Sequence, residues 1–466
     1  FAMALAKLSV VHNNLGNLDE ARAYAAKASE KAGHLPPAER YYIEGRRCSL
    51  EPAKLEKAVD AYQKAVEAAP EHTAARNNLA QALLELRRYP EALSQLEELR
   101  RQGMSFPGTY MSLAEAYVAT GQPDRAREAL TAYTSAHPDS PAGYENLGHF
   151  ELMQGRLDAG LSALDRAAEL HPDQMKHVEL GRFAARALQD RWPEARAAGE
   201  RLLKSEDSGD RWAGDEALAM ASLYRGDLAE ARRLAGVAGA HAETTAERAE
   251  APLFQARLEE QLGRYREALV QAGRALDEAE GQPELQARAH AVQALALARL
   301  GRSADSEKAA AAVEEWLSTL PRALADRSRL HLRGSLALAR GDIAGARRHL
   351  ELAAAMPARM KLEADTESIE ILYDLARASL AGGDARAARG ALERIVDSGA
   401  DRVLTPVPYV RSLALLASLE EKTGRTEEAR SLYRRYLRYW QHGQIDCGEV
   451  ARAGQRLSAL RAEPAA

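Results

Sequence analysis

The sequence predicts an all-α solenoid of about twelve helical hairpins followed by a C-terminal capping helix. A helix-turn-helix phrase recurs along the chain, and its copies keep a spacing of 34 to 42 residues. The phrase reads Leu-Gly-Asn-Leu-Asp-Glu-Ala at residues 15–21, and related copies occupy residues 226–231, 263–268 and 424–429. A period of this length is typical of repeat proteins, in which each unit buries its apolar side only by stacking on its neighbours.

The copies can be registered on the small residue that follows each turn. This residue falls at Ala21, Ala58, Ala92, Ala126, Gly160, Ala195, Ala231, Ala268, Ser306, Ala346, Ala388 and Ala429. The spacing stays near 34 residues in the first half and passes 40 in the second, which predicts longer helices or longer loops there. We expect a regular array of repeats 1–6 over residues 1–204, longer and looser repeats 7–12 over 205–447, and a capping helix and tail over 448–466, in one continuous solenoid.

Repeat 4 shows how the residues of one unit specify a hairpin. Gly121 ends the first helix, because glycine adopts a left-handed conformation at little cost. Pro123 opens the second helix at a position that needs no backbone N–H, and Pro138 ends it. The first helix is apolar at positions i, i+3, i+4 and i+7, namely Tyr110, Leu113, Ala114 and Tyr117.

Repeats 2, 6 and 9 depart from this pattern, and we expect irregular turns in them. Repeat 2 lacks the turn glycine, repeat 6 has Asp190 there, and repeat 9 places Ser306 in the small-residue position. The longest loop is predicted at residues 398–408, where Pro406 and Pro408 favour extended backbone before them.

Composition and charge argue against several classes of function. The net charge is −5, with 63 basic and 68 acidic residues dispersed along the chain, which disfavours nucleic acid or a membrane surface as the partner. No apolar run has the length of a transmembrane helix. Cys48 and Cys447 lie near opposite ends, so we expect no disulfide between them. No metal-binding, nucleophile, phosphate-binding or dinucleotide-binding motif occurs, and we therefore predict no metal, no cofactor and no catalytic role.

The hairpin pattern resembles the tetratricopeptide repeat family. In the 34-position frame of that family, the leucine and small residue of positions 7 and 8 are matched by Leu113 and Ala114, and the small residue of position 20 by the series above. The resemblance implies a right-handed superhelix that binds protein segments on its concave face. The carboxylate clamp of the family is not matched, because the positions flanking Asn78 and Asn146 lack its basic residues. Both asparagines are expected to tie neighbouring helices by hydrogen bonds.

The order of residues 1–8, 35–45 and 76–80 is similar to the tetratricopeptide region that follows the catalytic domain in large bacterial serine/threonine protein kinases. Because the chain opens at Phe1 inside a helical pattern, we expect a fragment of a larger signalling protein, with an upstream effector domain as one partner. The kinase motifs themselves do not occur in the sequence. The cytoplasm is the favoured location, and an extracytoplasmic one would require a signal or transmembrane segment upstream of Phe1.

An apolar stripe marks the predicted concave face. Position 12, which the family turns towards the concave side, holds Leu50, Leu84, Val118 and Leu152, and the candidate site also includes Met111, Met153, Asn77 and His149. Such a stripe suits an amphipathic helix or an apolar peptide, and methionines would let the surface adapt to its partner. The alternative is that the stripe packs on neighbouring helices, and the pattern leaves both explanations open.

The favoured function is a non-catalytic scaffold or sensor that captures a partner segment. The alternative is a small-ligand or peptide sensor domain of a bacterial transcription regulator, because wider packing in repeats 9–12 leaves room for pockets. Residues 434–440 interleave arginine with aromatic residues, as nucleic-acid binders can. We expect packing instead, since one helical face carries Tyr433, Tyr436, Leu437 and Trp440 and would lie on the capping helix.

Overall fold

Helical hairpins make up the chain wherever the structure describes it. The computed structural model describes residues 1–15, 17–103, 106–173, 175–356 and 366–462, except the side chains of residues 447, 461 and 462. Within these ranges the chain forms α-helices and two 3-10 helices, and no strand occurs there. The helix order gives twelve consecutive pairs and one last helix, so the predicted all-α repeat fold with its cap is confirmed. Cys48 is a free, buried thiol. Gly16 and the side chain of Cys447 are not among the residues that the structure describes.

Each hairpin consists of a first helix, A, and a second helix, B. Repeats 1–6 comprise α1 (Ala2–Asn14), α2 (Leu18–Glu30), α3 (Pro37–Ser49), α4 (Leu55–Ala68), α5 (Thr73–Glu85), α6 (Tyr89–Arg101), α7 (Pro107–Ala119), α8 (Pro123–Ala136), α9 (Pro141–Met153), α10 (Leu157–Leu170), α11 (Lys176–Leu188) and α12 (Trp192–Leu202). Repeats 7–12 comprise α13 (Ser208–Tyr224), α14 (Leu228–His241), α15 (Thr245–Gln261), α16 (Tyr265–Glu278), α17 (Pro283–Arg299), α18 (Ser303–Thr319), α19 (Arg322–Arg340), α20 (Ile343–Ala355), α21 (Thr366–Ala381), α22 (Ala385–Val396), α23 (Pro406–Lys422) and α24 (Thr426–Trp440). The cap is α25 (Cys447–Ala462), and the 3-10 helices are Pro52–Lys54 and Gly399–Leu404. The second of these is called the 399–404 segment below.

Longer A helices account for much of the increase in repeat length along the chain. All six A helices of repeats 1–6 have 13 residues, whereas those of repeats 7–12 have 16 to 19. The A helices of repeats 1 and 7 both end at position 13 of the repeat frame, at Asn14 and Tyr224. The extra residues of α13 therefore lie at its N-terminal end. They amount to about one helical turn.

The chain separates into two compact units. Unit 1 comprises Phe1–Leu147 and Leu317–Asp326, and unit 2 comprises Gly148–Trp316 and Arg327–Ala466. Each unit is described by itself below. The boundary expected between residues 204 and 205 stays a prediction.

The turns within the hairpins depend on one residue in the left-handed conformation. Gly121 adopts it with a φ of 76°, and in repeat 6 Asp190 adopts it with a φ of 57°. Asparagine and aspartate are the non-glycine residues that tolerate this region best. Repeat 2 instead uses the 3-10 helix Pro52–Lys54. The irregular turn expected in repeat 2 is thus present. The one expected in repeat 6 is wrong, because Asp190 takes the place of the turn glycine and keeps the regular hydrogen bonds.

Repeat 9 and the 398–408 loop differ from the predictions. The turn of repeat 9 is regular, with Gly301 at a φ of 75°, and the buried Ser306 hydroxyl donates to the Ala294 carbonyl oxygen at 2.8 Å. The irregular turn predicted there is wrong, because a serine that satisfies its hydroxyl fits the small-residue position. The prediction of extended backbone before Pro406 and Pro408 is also wrong. Both prolines lie in the first turn of α23, where the missing N–H groups have no helical partner to lose.

Unit 2 closes on itself through contacts between repeats 6–8 and repeats 11–12. The Trp440 indole Nε1 donates to the Leu223 carbonyl oxygen at 3.0 Å, and the Gln444 backbone N–H donates to the Gly226 carbonyl oxygen at 2.8 Å. Trp440 is fully buried. In an open solenoid, each repeat contacts only its neighbours along the chain. Unit 2 does not follow this arrangement, because distant repeats contact each other.

Aromatic side chains fill this closure. Trp192 stacks on Tyr224 with 4.3 Å between ring centroids, and Tyr439 approaches Tyr224 at 5.5 Å. Tyr433, Tyr436 and Trp440 are buried, so the predicted packing face of α24 is confirmed. The expectation that this face packs on the capping helix is incomplete, because the Trp440 indole bonds to α13 and the neighbouring Tyr439 approaches Tyr224 of α13.

Two glycines with the same backbone conformation offer a matched test of the closure. Gly226 and Gly301 both have a φ of 75°. A Cβ on Gly226 would lie 2.9 Å from the Gly443 Cα, whereas nothing lies within 4 Å of one on Gly301. Gly301→Ala should cost about 1–2 kcal/mol from the left-handed backbone alone. Gly226→Ala should add about 1–3 kcal/mol, because backbone atoms must separate.

Thermal melting followed by circular dichroism would measure both variants. We expect Gly226→Ala to lower the melting temperature clearly more than Gly301→Ala does. Equal losses would mean that the contact between Gly226 and Gly443 contributes nothing to stability.

Candidate partner-binding surfaces

In unit 1, the apolar stripe divides into buried and half-buried members. Leu50 and Leu84 are only 7% and 6% exposed, and Leu50 belongs to a cluster with Ala21 and Ala25 of α2. These two leucines mainly contribute packing, which is the alternative that the sequence left open. Val118 is half-buried and retains apolar surface for a partner.

Polar side chains join the A helices of repeats 3 and 4. The Thr109 hydroxyl donates to Asn77 Oδ1 at 3.1 Å, and Gln81 Nε2 donates to the Ser112 hydroxyl at 2.6 Å. Asn77 is half-buried, as is Met111 of α7. We define the unit 1 surface as Asn77, Met111 and Val118. It combines an amide held by a hydrogen bond with a flexible thioether and a branched apolar side chain.

The two asparagines of the unmatched clamp tie helices together. Asn78 Nδ2 donates to the Tyr62 hydroxyl of α4 at 3.3 Å, and Asn146 Nδ2 donates to the Pro107 carbonyl oxygen of α7 at 3.0 Å. The prediction of helix-to-helix hydrogen bonds is confirmed for both residues.

In unit 2, Leu152 is buried while Met153 and His149 are half-buried. A Cβ on Gly160 would lie only 2.6 Å from Leu152 Cδ2, so Leu152 packs on the backbone of α10. This close approach explains why the small-residue position of repeat 5 holds glycine. Burial, together with the neighbouring His177, lowers the pKa of His149 to about 4. Its imidazole is therefore neutral at pH 7.

Charged side chains line one side of α15. Arg288 donates to Glu250 Oε2 at 3.1 Å, and Arg257 forms an ion pair with Glu370 of α21. Glu260, on the same helix, has no hydrogen-bond or ion-pair partner among the described residues. Burial, and then the charge of Asp374, raises the pKa of Glu260 to about 7.

A second unpaired carboxyl lies on α13. Glu216 also has no hydrogen-bond or ion-pair partner among the residues that the structure describes. Burial, and then Glu250, raises the pKa of Glu216 to about 8. Neither Glu216 nor Glu260 was predicted as a site residue, because acidic residues occur on most helix faces and only the tertiary structure shows which are enclosed.

The described residues contain no group of histidine, cysteine or acidic side chains placed to hold a metal ion. No helix in the described ranges has the length and apolar character needed to span a membrane.

Repeated helix-turn-helix units with small residues at fixed positions place the chain among the helical-repeat proteins. A family model described as "Tetratricopeptide repeat" matches residues 53–105, 111–174 and 373–442, and a second model of the same description matches residues 328–351. These segments of the chain therefore carry tetratricopeptide repeats. Such repeats imply a scaffold for protein–protein interaction.

Solved structures of similar fold have low sequence identity to the chain. A tetratricopeptide repeat protein from Parabacteroides merdae is 16% identical, with a TM-score of 0.40, over 52% of this chain and 94% of its own. A thermophilic protein of the family from Thermus thermophilus is 22% identical, with a TM-score of 0.34, over 39% of this chain and 97% of its own. YrrB, described as having an unusual peptide-binding site, is 19% identical, with a TM-score of 0.30, over 41% of this chain and 95% of its own. No curated protein matches the chain in sequence.

The enclosed carboxyl of Glu260 should make stability depend on pH. Its folded pKa of about 7 lies above its ordinary value of 4.5, so the folded chain holds the proton between these values. Stability is then lost as the pH rises through this window. Glu260→Gln, which stays neutral, should melt close to wild type at about pH 5 and at a higher temperature than wild type at about pH 8.

Differential scanning fluorimetry at several pH values would measure this crossover. Glu267→Gln, at an exposed glutamate of α16, is the control and should shift nothing. A difference between Glu260→Gln and wild type that does not change with pH would show that Glu260 ionises freely.

Proposed function

We propose that this chain is a non-catalytic interaction region that captures a segment of a partner protein on the unit 1 surface. The half-buried Val118 carries the proposal. Met111 lies two turns earlier on the same helix, and Asn77 is hydrogen-bonded to Thr109 near the start of that helix. A partner residue placed here would bury apolar area, which contributes about 25 cal/mol per Å². The Asn77 amide would give that segment a polar contact and so a direction. The partner that fits is an amphipathic helix or an extended segment with apolar side chains.

The setting we propose is a larger bacterial signalling protein of the kinase-associated kind. The similarity of residues 1–8, 35–45 and 76–80 to kinase-linked repeat regions supports it. In that setting, the captured segment recruits a substrate to an effector domain or biases its activity. The sequence of the whole polypeptide tests this setting directly, since a kinase domain in it would support the proposal and an unrelated effector domain would replace it.

Selection from a displayed random-peptide library on the whole chain would provide a ligand for the unit 1 surface. Val118→Glu and Met111→Glu should each weaken binding of a selected peptide by about tenfold or more, because a carboxylate would be desolvated against apolar groups. Thr131→Glu is the matched control, since Thr131 is an exposed residue of α8 in the same repeat.

Fluorescence anisotropy with the selected peptide would measure the three affinities. Circular dichroism would verify that each variant stays helical. Equal affinities for Val118→Glu and Thr131→Glu would place the binding site elsewhere on the chain.

The second candidate is a small-ligand or peptide sensor within unit 2. The unpaired carboxyls of Glu216 and Glu260 favour it, because enclosed acids without partners are suited to bind an amine or a guanidinium group. A melting-temperature screen with amines and short basic peptides tests this candidate. A stabilising compound whose effect disappears in Glu260→Gln would support it, and no shift with any compound would dispose of it.

A further inference from the structure

The 399–404 segment occupies a groove of unit 2 formed by the A helices of repeats 6 and 7. Val403 is 4% exposed. It belongs to the same buried cluster as Phe183 and Ala187 of α11 and Ala217 and Ala221 of α13. The segment connects repeats 11 and 12, so it contacts helices that lie about 200 residues earlier in the chain. We call this site the α11–α13 groove.

Arg402 provides the polar half of this contact. Its guanidinium donates to the Leu188 carbonyl oxygen at 2.8 Å and lies 3.7 Å from Asp190 Oδ1. The last carbonyl groups of an α-helix carry partial negative charge and lack helical partners, so they form a ready acceptor site for a cation. The left-handed turn of repeat 6 directs the Asp190 carboxylate to the same place.

The groove also holds the backbone of the segment. The Tyr224 hydroxyl donates to the Arg402 carbonyl oxygen, and the Arg402 guanidinium also donates to the Tyr439 hydroxyl at 3.2 Å. A short segment is thus held by one apolar side chain, one cation and one backbone carbonyl. Peptide grooves recognise external ligands by the same set of contacts.

The repeat register places these contacts at the C-terminal ends of the A helices, directly after the predicted concave position 12. Position 13 of repeats 6, 7 and 8 is occupied by Leu188, Tyr224 and Gln261. The Leu188 carbonyl oxygen and the Tyr224 hydroxyl both bond to Arg402 of the 399–404 segment. The Gln261 carbonyl oxygen accepts a hydrogen bond from the Arg411 guanidinium of repeat 12. The chain itself therefore covers the ends of the A helices next to the predicted concave position in this part of unit 2.

We propose that the α11–α13 groove is a segment-binding groove that the 399–404 segment occupies as an autoinhibitory contact. The partner that fits it is a protein segment carrying an arginine followed by a β-branched apolar residue. The arginine enters the acceptor site at the end of α11, and the apolar side chain enters the cluster around Phe183. A partner gains access only when the 399–404 segment leaves, so the contact sets a threshold for binding. This inference concerns unit 2 and does not depend on the unit 1 surface.

A synthetic peptide with the sequence of residues 397–407 tests the proposal on the whole chain. In wild type the groove is filled, and the peptide should bind weakly. In Arg402→Ala the internal segment loses its guanidinium contacts, so the groove is open in a larger fraction of molecules. The labelled peptide should bind this variant at least about tenfold more tightly than wild type, because its apparent affinity rises with that fraction. A peptide in which alanine replaces its arginine is the matched control and should bind neither protein.

Fluorescence anisotropy measures these affinities, and circular dichroism verifies that the variant stays helical. Equal binding of the peptide to wild type and to a helical Arg402→Ala variant would overturn the proposal, as would equal binding of the alanine control. If Arg402→Ala does not fold, Val403→Ala takes its place, since it removes only two methyl groups from the cluster. Binding tighter than to wild type would again support the proposal, and unchanged binding would identify the contact as permanent core packing.

Discussion

The buried guanidinium of Arg402 is a constraint that the closure of unit 2 must satisfy. A buried cation is stable only when several acceptors replace its water shell. Here the acceptors come from α11 through the Leu188 carbonyl, from the repeat 6 turn through Asp190, and from α24 through the Tyr439 hydroxyl. Because these groups must converge on one planar fork, Arg402 fixes the register of repeat 6 against repeat 12. A lysine would lack the geometry to reach all three.

This closure changes how stability is distributed in a repeat protein. In an open solenoid, stability is approximately a sum of terms for each repeat and for its neighbours. In unit 2, repeats 8 and 11 are also joined by the pair of Arg257 and Glu370, and repeats 7 and 12 by the bond of Trp440 to Leu223. Repeats 7–8 and repeats 11–12 of unit 2 are therefore fixed to each other although they are far apart in the sequence. Fraying that would stay local in an open array is opposed by these contacts within unit 2.

The sequence allowed the hairpins, the cap and most turns to be predicted, because these features depend on residues that are close together in the chain. Periodicity could not separate the two roles of Leu50 and Val118, since packing and partner binding both require an apolar residue at position 12. It also could not reveal the closure, because Arg402 and Leu188 are 214 residues apart and no local pattern links them. The one local signal was Asp190, an aspartate where most turns have glycine, but the sequence did not show the role of its carboxylate beside Arg402.

The closure also has an electrostatic consequence for the acids inside unit 2. Burial, and then the charge of Asp374 of α21, raises the pKa of Glu260 to about 7, so its folded state favours the protonated acid. A carboxyl whose folded pKa is raised binds more protons in the enclosed state than in an opened one. The enclosed arrangement is therefore favoured at lower pH, and it loses this contribution as the pH rises through the raised pKa. The contacts of Arg402, whose pKa stays far above this range, hold unit 2 together against that loss. The charge of Arg402, which does not change over this pH range, thus stabilises a part of unit 2 in which the charge of a carboxyl group depends on pH.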